Sequence, residues 1–248
     1  MSLEITNPQA EIDSMVTFLQ RTMQKAGKSK IVVAVSGGID SALSLTLAVK
    51  AVGAAQVYPI LLPYKDQSIE DSKTIVDWNS IPEANISIIN IEKMVDAVVQ
   101  QLQATNDQIR VGNIMARTRM IAVYDLAKKL DALVCGTENK SEKYLGYFTR
   151  FGDEASDIEP LQHLYKTQVR QLVEFLKLPS VFLEKAPSAG LWQGQTDEEE
   201  LGFSYQEADK ALSEIIDGEV VGSTFEVKVA VQLRVKNQRF KHEVPYTL

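Results

Sequence analysis

Residues 31–41 read IVVAVSGGIDS, and this stretch decides which fold we expect. Five apolar residues come first, a Ser-Gly-Gly turn follows, and a helical pattern of small and apolar residues continues to Val49. This order predicts a strand, a tight turn and the start of a helix. Glycines let the backbone approach an anion closely, and the free amides and dipole of a helix N-terminus favour negative charge. We therefore predict an anion-binding turn, with hydroxyl donors at Ser36 and Ser41 and a carboxylate at Asp40 that can hold a metal ion bridging phosphates.

The turn differs from the most common phosphate-binding loop. That loop reads G-x-x-x-x-G-K-[ST], and its lysine reaches the β- and γ-phosphates of a nucleotide. The turn in this chain is shorter and contains no lysine. It is therefore better suited to holding a pyrophosphate than to transferring a γ-phosphoryl group. The alternative interpretation is an ordinary strand-to-helix turn in which Asp40 or Ser41 caps the helix.

The composition argues against several classes of protein. The chain has 248 residues, enough for one large domain or two small ones. Of these residues 45% are hydrophobic and 24% charged, a balance typical of globular proteins. The net charge of −7 argues against a nucleic-acid partner, so an anionic substrate would need a local basic site. Cys135 is the only cysteine, which excludes a disulfide within the chain and favours a cytoplasmic location. The sequence shows no apolar run of transmembrane length and no signal segment, so we expect no membrane partner.

Short apolar segments alternate with helical patterns along the chain. The predicted strands are 31–35, 57–62, 86–91 and 132–135. The predicted helices are 8–27, 41–52, 67–80, 91–104, 107–130, 166–177, 204–216 and 219–236. The alternation predicts an α/β fold, a single doubly wound domain in which helices flank a parallel sheet. Since ligands of such sheets bind at the carboxyl ends of the strands, residues 36–41, 63–64 and 136–138 should converge at one edge.

The remaining segments have less regular patterns. Residues 139–160 and 179–194 are predicted to be irregular, and the first is expected to be functional because it is long and rich in aromatic residues. The acidic residues 197–200 are predicted to form a solvated helix start. Cys135 is predicted to be a buried small hydrophobic residue. His163 and His242 are interpreted as structural or exposed, because neither has the spacing of a metal site or a catalytic triad.

Four motifs together resemble a known family. The Ser-Gly-Gly-x-Asp-Ser turn is similar to the pyrophosphate loop of the N-type ATP pyrophosphatases, which include GMP, asparagine, argininosuccinate and NAD synthetases. Three further segments resemble the NAD synthetases in particular. They are GNIMARTRM at 112–120, GTEN at 136–139 followed by Glu142, and GYFTRFGD at 146–153 followed by DIEPL at 157–161. The resemblance covers most of residues 30–206 and is weak over the last forty residues.

The resemblance implies a fold, a reaction, a metal cofactor and a co-substrate. The fold would be adenine nucleotide alpha hydrolase-like, as a single NAD synthetase domain over residues 1–248. ATP would adenylate the nicotinate carboxylate of deamido-NAD and release pyrophosphate, and ammonia would then displace AMP to give NAD. Magnesium would be the cofactor, and ATP the co-substrate. A magnesium-bound pyrophosphate is a good leaving group, which a poorly electrophilic carboxylate needs for its activation.

The resemblance also assigns roles to individual residues. The implied ATP-binding residues are Ser36, Gly37, Gly38, Ile39, Asp40, Ser41, Thr137, Lys166 and Ser188. The implied deamido-NAD-binding residues are Asn113, Arg117, Arg150, Asp157 and Lys241. The implied magnesium ligands are Asp40 and Glu142, and the implied catalytic residues are Asp40, Lys166 and Asp153. The family's C-terminal His-Lys pair falls on Phe240 and Lys241, so the sequence departs from the pattern at Phe240.

Two further expectations concern the nitrogen source and the partners. Glutamine-using relatives carry an additional amidase domain with a catalytic cysteine. Free ammonia is expected here, because the only cysteine, Cys135, falls at the end of a predicted buried strand. A homodimer is expected, because family members of this length build the deamido-NAD site across a two-fold interface that includes the helix of Asn113 and Arg117.

Other interpretations of the same residues are open. Asn113 and Arg117 lie on a polar stripe of a predicted helix, which in most helices is simply solvated. A different amidating or thiolating pyrophosphatase would share the ATP site, although the 147–153 segment argues against it. A nucleotide sensor that has lost catalysis is the alternative from another class. The presence of Asp40, Glu142 and Lys166 argues against a sensor.

Overall fold

A parallel sheet of four strands lies at the centre of the computed structural model, which describes residues 3–192, 194–243 and 245–246. The strands are β1 (Ile31–Ala34), β2 (Val57–Leu61), β3 (Ser87–Ile88) and β4 (Leu133–Cys135). Their order in the sheet is β3-β2-β1-β4, with Ile31 in register with Val57 on one side and Leu133 on the other. The chain therefore reverses its direction of winding between β1 and β4, which is where ligands bind in sheets of this kind.

Eleven α-helices lie in the described part of the chain. They are α1 (Pro8–Ala26), α2 (Ile39–Val52), α3 (Glu70–Trp78), α4 (Glu92–Gln101), α5 (Gln108–Leu130), α6 (Lys140–Leu145), α7 (Lys166–Phe175), α8 (Val181–Glu184), α9 (Asp197–Leu201), α10 (Tyr205–Leu212) and α11 (Phe225–Gln238). None of the helices that the structure describes is long and apolar enough to span a bilayer.

The helices cover both faces of the sheet because the strand residues alternate. Ile31 and Val33 pack with α1, α2 and α7 in one apolar cluster, and Val32 packs with α4 and α5 in another. A third cluster joins α6, α9, α10 and α11 beside the sheet. The predicted α/β fold with a parallel sheet flanked by helices is confirmed, and Cys135 is buried as expected.

Strands β1, β2 and β4 match their predicted ranges to within one residue, but β3 is shorter than predicted. Only Ser87–Ile88 pairs as a regular strand, because β3 is at the edge of the sheet and has one neighbour. The predicted range 86–91 still runs alongside β2. The amide of Ile89 donates to Leu61 O over 3.0 Å, and that of Ile91 donates to Pro63 O over 2.9 Å.

Three predictions for the second half of the chain were wrong in part. The segment 139–160 begins with helix α6, because Asn139 and Glu142 form a capping box. The segment 179–194 contains α8, and its residue 193 lies outside the described residues. The predicted helix 219–236 starts only at Phe225, because Gly218 and Gly222 have φ angles of 73° and 78°.

The acidic segment 197–200 starts a helix as predicted, but its first residue is not solvated. Asp197 is only 3% exposed, and its Oδ2 accepts a hydrogen bond of 3.1 Å from the hydroxyl of Tyr205. The third apolar cluster covers this position, which the local acidic pattern could not reveal. His163 is exposed and pairs with Glu11 on α1, in agreement with its interpretation as structural or exposed.

Candidate active site

The Ser-Gly-Gly turn connects β1 to α2 and is held from two sides. Gly37 has a φ of 78°, and a Cβ there would lie 3.1 Å from Asp71 Cβ and 3.2 Å from Ser72 Oγ. Ser72 Oγ in turn donates to Val35 O over 2.9 Å, which ties α3 to the end of β1. The turn needs glycine at this position both for its conformation and for space.

The start of α2 provides donors for an anion. Among the described residues no side chain caps its first turn, and Gly38 occupies the N-cap position. The hydroxyl oxygens of Ser36 and Ser41 lie 3.2 Å apart beside these amides, and Ser41 Oγ donates to Gly38 O. Free amides, two hydroxyls and the helix dipole form the kind of cradle that binds phosphate groups.

A buried ammonium group lies between two carboxylates next to this turn. Lys166 Nζ is 2.5 Å from Asp40 Oδ2 and 2.9 Å from Glu142 Oε1, and the lysine side chain is only 4% exposed. Asp40 Oδ1 also accepts a hydrogen bond of 2.9 Å from Asn139 Nδ2. The three charged residues come from α2, α6 and α7, at the carboxyl ends of β1 and β4. The segments that follow β1 and β4 thus converge at one edge as predicted, and Asp40, Glu142 and Lys166 meet there.

The short helix α6 aims Glu142 into this group. Asn139 Oδ1 accepts from the amide of Glu142 over 3.0 Å, and Gly146 ends the helix with a φ of 61°. Asn139 therefore caps α6 and bonds to Asp40 at the same time. It was not among the predicted site residues, although the Asn-x-x-Glu spacing at 139–142 is a recognisable helix-start signal.

The charges of the group depend on one another. Burial alone lowers the pKa of Lys166, but the charges of Asp40 and Glu142 outweigh this and raise the pKa above that of a free lysine. Burial also raises the pKa of Glu142, against the influence of the nearby ammonium. The lysine thus remains protonated, and burial favours the neutral form of Glu142 even beside the ammonium.

A second group of predicted residues surrounds the 146–153 segment. Thr149 Oγ1 donates to Asn113 Oδ1 over 2.8 Å, and Arg117 Nε donates to Arg150 O over 3.2 Å. Asp153 Oδ1 accepts from the amide of Thr149 over 3.0 Å and closes the turn. Helix α5 and the predicted substrate loop are therefore in direct contact, although they are more than thirty residues apart in sequence.

The C-terminal Lys241 supports the same loop. Its Nζ donates to Gly146 O over 2.6 Å and to Phe148 O over 2.7 Å. The guanidinium group of Arg150 lies 5.3 Å from the centre of the Phe240 ring. The residue that departs from the family pattern, Phe240, therefore packs against a predicted substrate-binding arginine.

Three predicted residues have separate surroundings. Asp157 Oδ2 accepts from the amide of Val134 over 2.8 Å and so supports β4. Thr137 is half-buried at the end of β4. Ser188 is exposed, and its Oγ accepts from the amide of Gly190 over 3.1 Å.

The end of β4 needs glycine because a partly buried glutamate packs against it. A Cβ at Gly136 would lie 1.8 Å from Glu159 Oε1, which also accepts from Ser156 Oγ, while Oε2 accepts from the amide of Glu138. Burial raises the pKa of Glu138 to about 7 and that of Glu159 to about 8. Glu138 lies in the 136–138 segment that was predicted to reach this edge and Glu159 lies in the DIEPL motif, but neither was predicted as an individual site residue. The burial of Glu138 and the partial burial of Glu159 have no local sequence signal.

Sequence reasoning also missed Tyr205, whose ring centre lies 5.1 Å from Lys166 Nζ. Its hydroxyl group binds Asp197. Tyr205 belongs to the third apolar cluster, and Asp197 begins α9, another helix of that cluster; both are remote in sequence from the turn. Only the packing of α9 and α10 brings these residues to the site, so the sequence carries no local signal for them.

Comparison with known proteins agrees with this geometry. The profile of the NAD synthase family matches residues 11–245. The NH(3)-dependent NAD(+) synthetase of Thermococcus kodakarensis is 43% identical over 209 residues, which are 84% of this chain and 81% of that protein. The enzyme of the same name from Methanosarcina mazei is 39% identical over 98% of both chains. The solved structure of NMN synthetase from Francisella tularensis superimposes with a TM-score of 0.88 at 33% identity, over 98% of this chain and 99% of that one.

The family match at residues 11–245 includes the segments that form the anion-binding turn, the buried ammonium group and the α5–loop contact. The chain belongs to the NAD synthase family.

Proposed function

We propose that this protein is a ligase that uses ATP and ammonia to amidate deamido-NAD to NAD, the last step of NAD biosynthesis. One observation carries the proposal. In a member of the NAD synthase family, the Lys166 ammonium lies between Asp40 and Glu142 beside a glycine turn with free amides. This arrangement suits a nucleotide whose pyrophosphate is the leaving group.

In the first step the nicotinate carboxylate attacks the α-phosphorus of ATP. A bond forms between the carboxylate oxygen and phosphorus, and the bond to the β-phosphate oxygen breaks, so that pyrophosphate leaves. The negative charge that develops on the departing phosphates is stabilised by the amides after Gly38, the Ser36 and Ser41 hydroxyls and the Lys166 ammonium. Ile39, Thr137 and Ser188 complete the proposed ATP site.

In the second step ammonia attacks the carbonyl carbon of the acyl-adenylate. A C–N bond forms, AMP leaves with the electron pair of the C–O bond, and a proton is released to give the neutral amide. Arg117, Arg150 and Asn113 are proposed to hold deamido-NAD against α5, with Asp157 and Lys241 as further contacts. Asp153 is proposed to close the loop over the reacting carboxylate.

Magnesium fits the donor set. Asp40 and Glu142 provide hard oxygen ligands that already converge on one cation, the Lys166 ammonium. No group of three or more His, Cys, Asp or Glu side chains within residues 3–192, 194–243 and 245–246 is placed to hold a metal ion. The phosphates of ATP would therefore supply the remaining ligands. The bound ion would neutralise the charge of the leaving pyrophosphate.

A homodimer in the cytoplasm is part of the proposal, as is a single domain over residues 1–248. Helix α5 carries two large apolar side chains on its exposed surface, Ile109 at 70% and Ile121 at 60% exposure. Exposed apolar groups on the helix of Asn113 and Arg117 support an interface there. Sedimentation of a fully active 27.6 kDa monomer at working concentration would contradict it.

Pyrophosphate release from ATP tests the reaction. Release that requires deamido-NAD, with NAD formed on addition of ammonium, is the expected result. Release only with a different acceptor would indicate another amidating member of the group, and ATP binding without release would indicate a sensor. The variant Asp40→Asn should retain its fold and lose pyrophosphate release, whereas wild-type turnover in this variant would contradict the assigned role.

A mononucleotide acceptor is the second candidate, because the superimposed Francisella tularensis structure is an NMN synthetase. The same chemistry would then act on the nicotinate carboxylate of the mononucleotide. Parallel assays with the dinucleotide and the mononucleotide acid, compared by kcat/KM, decide between the two. We expect the dinucleotide to be preferred, in line with the names of the relatives at 39% and 43% identity.

A further inference from the structure

A fully buried carboxylate lies outside the predicted site and contacts two of the elements that form it. Asp209 is in α10 and has no solvent exposure, and its partner Ser141 in α6 is equally buried. Neither residue was singled out by the sequence motifs, and neither is near enough in sequence to the Ser-Gly-Gly turn to be grouped with it.

The hydrogen bonds of Asp209 lead to the first residues of α7. Asp209 Oδ2 accepts from the amide of Thr167 over 2.8 Å. Asp209 Oδ1 accepts from Ser141 Oγ over 2.5 Å, and Ser141 Oγ accepts from the amide of Lys166 over 2.9 Å. One carboxylate thus satisfies the first amide of α7 through a hydroxyl and the second amide directly. These amides have no partner within their own helix.

The two helices held in this way carry the two charges that meet in the site. Ser141 immediately precedes Glu142, and Lys166 is the first residue of α7. The side chain of Lys166 then reaches 2.9 Å from Glu142 Oε1. The backbone link through Asp209 and the ion pair between the side chains therefore join α6 and α7 at neighbouring positions.

Burying a carboxylate here is costly, and apolar packing would serve a purely structural contact at lower cost. Burial raises the pKa of Asp209 to about 6, against the hydrogen bonds from Ser141 and Thr167 and the charge of Lys166. Helix α10 otherwise joins the third cluster through apolar residues such as Ala208, Ala211 and Leu212. The hydrogen bonds from the Ser141 hydroxyl and the Thr167 amide explain why a charged group occupies this position.

We propose that Asp209 is a positioning residue for the ligase reaction, which through Ser141 and the amides of Lys166 and Thr167 fixes the start of α7 and so aims the Lys166 ammonium at the phosphates of ATP. Asp209 touches no substrate in this role. The inference rests on the proposed contact of Lys166 with ATP.

The test measures kcat and KM in variants of the whole protein. Asp209→Ala removes both acceptors, and Asp209→Asn keeps the shape and one acceptor. We expect kcat to fall by about 100-fold in the first and about 10-fold in the second, because a small misplacement of a catalytic group costs rates of this order. The KM for deamido-NAD should change by less than about 3-fold, since that ligand binds elsewhere. Ser141→Ala, a milder change, should lower kcat in the same direction and provides the test if the Asp209 variants do not fold.

The control is a second carboxylate, Glu214, which accepts from backbone amides and a serine hydroxyl and also pairs with Lys228. Glu214 Oε1 accepts from the amides of Gly222 and Ser223, and Oε2 accepts from Ser223 Oγ over 2.6 Å. Glu214→Gln should lower the melting temperature and leave kcat within about 2-fold of wild type. An equal loss of kcat in this control would show that the effect is one of general stability and would overturn the proposal.

A double-mutant cycle with Lys166→Ala separates the proposal from the function on which it rests. If Asp209 acts through Lys166, then Asp209→Ala should lower kcat no further once Lys166 is replaced. Additive losses, or an unchanged kcat in folded Asp209→Ala, would overturn the positioning role only. An unchanged kcat in Lys166→Ala alone would instead refute the proposed role of Lys166 in the reaction.

Discussion

Replacing Lys166 by methionine tests whether the buried ammonium group holds the site together. Methionine has a similar length and no charge, so Asp40 and Glu142 would lose the cation that lies 2.5 and 2.9 Å from them. Removing one partner of a buried ion pair costs about 3–5 kcal/mol, because the other charge is left uncompensated. Since Glu142 can take up a proton, we expect a value near the lower end, about 3 kcal/mol.

A second ion pair of the same length provides the control. Lys185 Nζ is 2.5 Å from Asp71 Oδ2, but the lysine side chain is 48% exposed. Exposed pairs contribute only about 0–1 kcal/mol, so Lys185→Met should be close to wild type. The two substitutions make the same chemical change, but Lys166 is buried between two carboxylates and Lys185 is half-exposed beside one. Urea unfolding in the presence of a chelator measures both free energies.

Magnesium should then distinguish an ion site from a merely structural pair. In Lys166→Met the two carboxylates face each other without a cation, so Mg²⁺ should bind there and stabilise the variant more than the wild type. Each tenfold excess over the dissociation constant adds about 1.4 kcal/mol. A variant that is as stable as wild type in chelator would refute our reasoning about the buried charges. A destabilised variant that does not respond to Mg²⁺ even when ATP is present to supply the remaining ligands would refute the assigned magnesium ligands.

Three further results are expected. Arg150→Ala should weaken deamido-NAD binding by roughly 1.5–3 kcal/mol, the value of one charge-assisted contact, while ATP binding stays nearly unchanged. Calorimetric titration of both ligands measures this. Equal losses for both ligands, or no loss, would make Arg150 a loop residue that only covers Phe240. Gly136→Ala should destabilise the fold by about 1–3 kcal/mol in urea unfolding, because the new Cβ would lie 1.8 Å from Glu159 Oε1 and must displace that side chain. An unfolding midpoint equal to that of the wild type would show that Glu159 moves freely. Because burial raises the pKa of Asp209 from 3.8 to about 6, the folded state binds this proton more tightly than the unfolded chain, and stability is lost as the pH rises through that window. The wild type should therefore lose about 3 kcal/mol relative to Asp209→Asn between about pH 4 and pH 6, and parallel pH profiles for the two proteins would contradict this.

Much of the fold follows from patterns that extend over a few residues. The apolar run before the Ser-Gly-Gly turn and the helical spacing after it predict β1 and α2, and both are present. Three strands lie within one residue of their predicted ranges, because buried parallel strands need continuous apolar runs. The meeting of Asp40 and Glu142 could also be predicted, since both follow strands whose carboxyl ends share one edge.

The tertiary structure decided what lies between and around those carboxylates. Lys166 is 126 residues from Asp40 in sequence, and only the packing of α7 against α2 and α6 places its ammonium there. The burial of Asp197 and Asp209 is likewise decided by the apolar cluster of α9, α10 and α11. A strand, a turn or a helix start depends on the propensities and spacing of neighbouring residues, which a sequence displays directly. Whether a charged side chain is solvated or buried against a partner depends on which distant segment covers it, and that is set by the sum of many weak packing contacts across the whole chain.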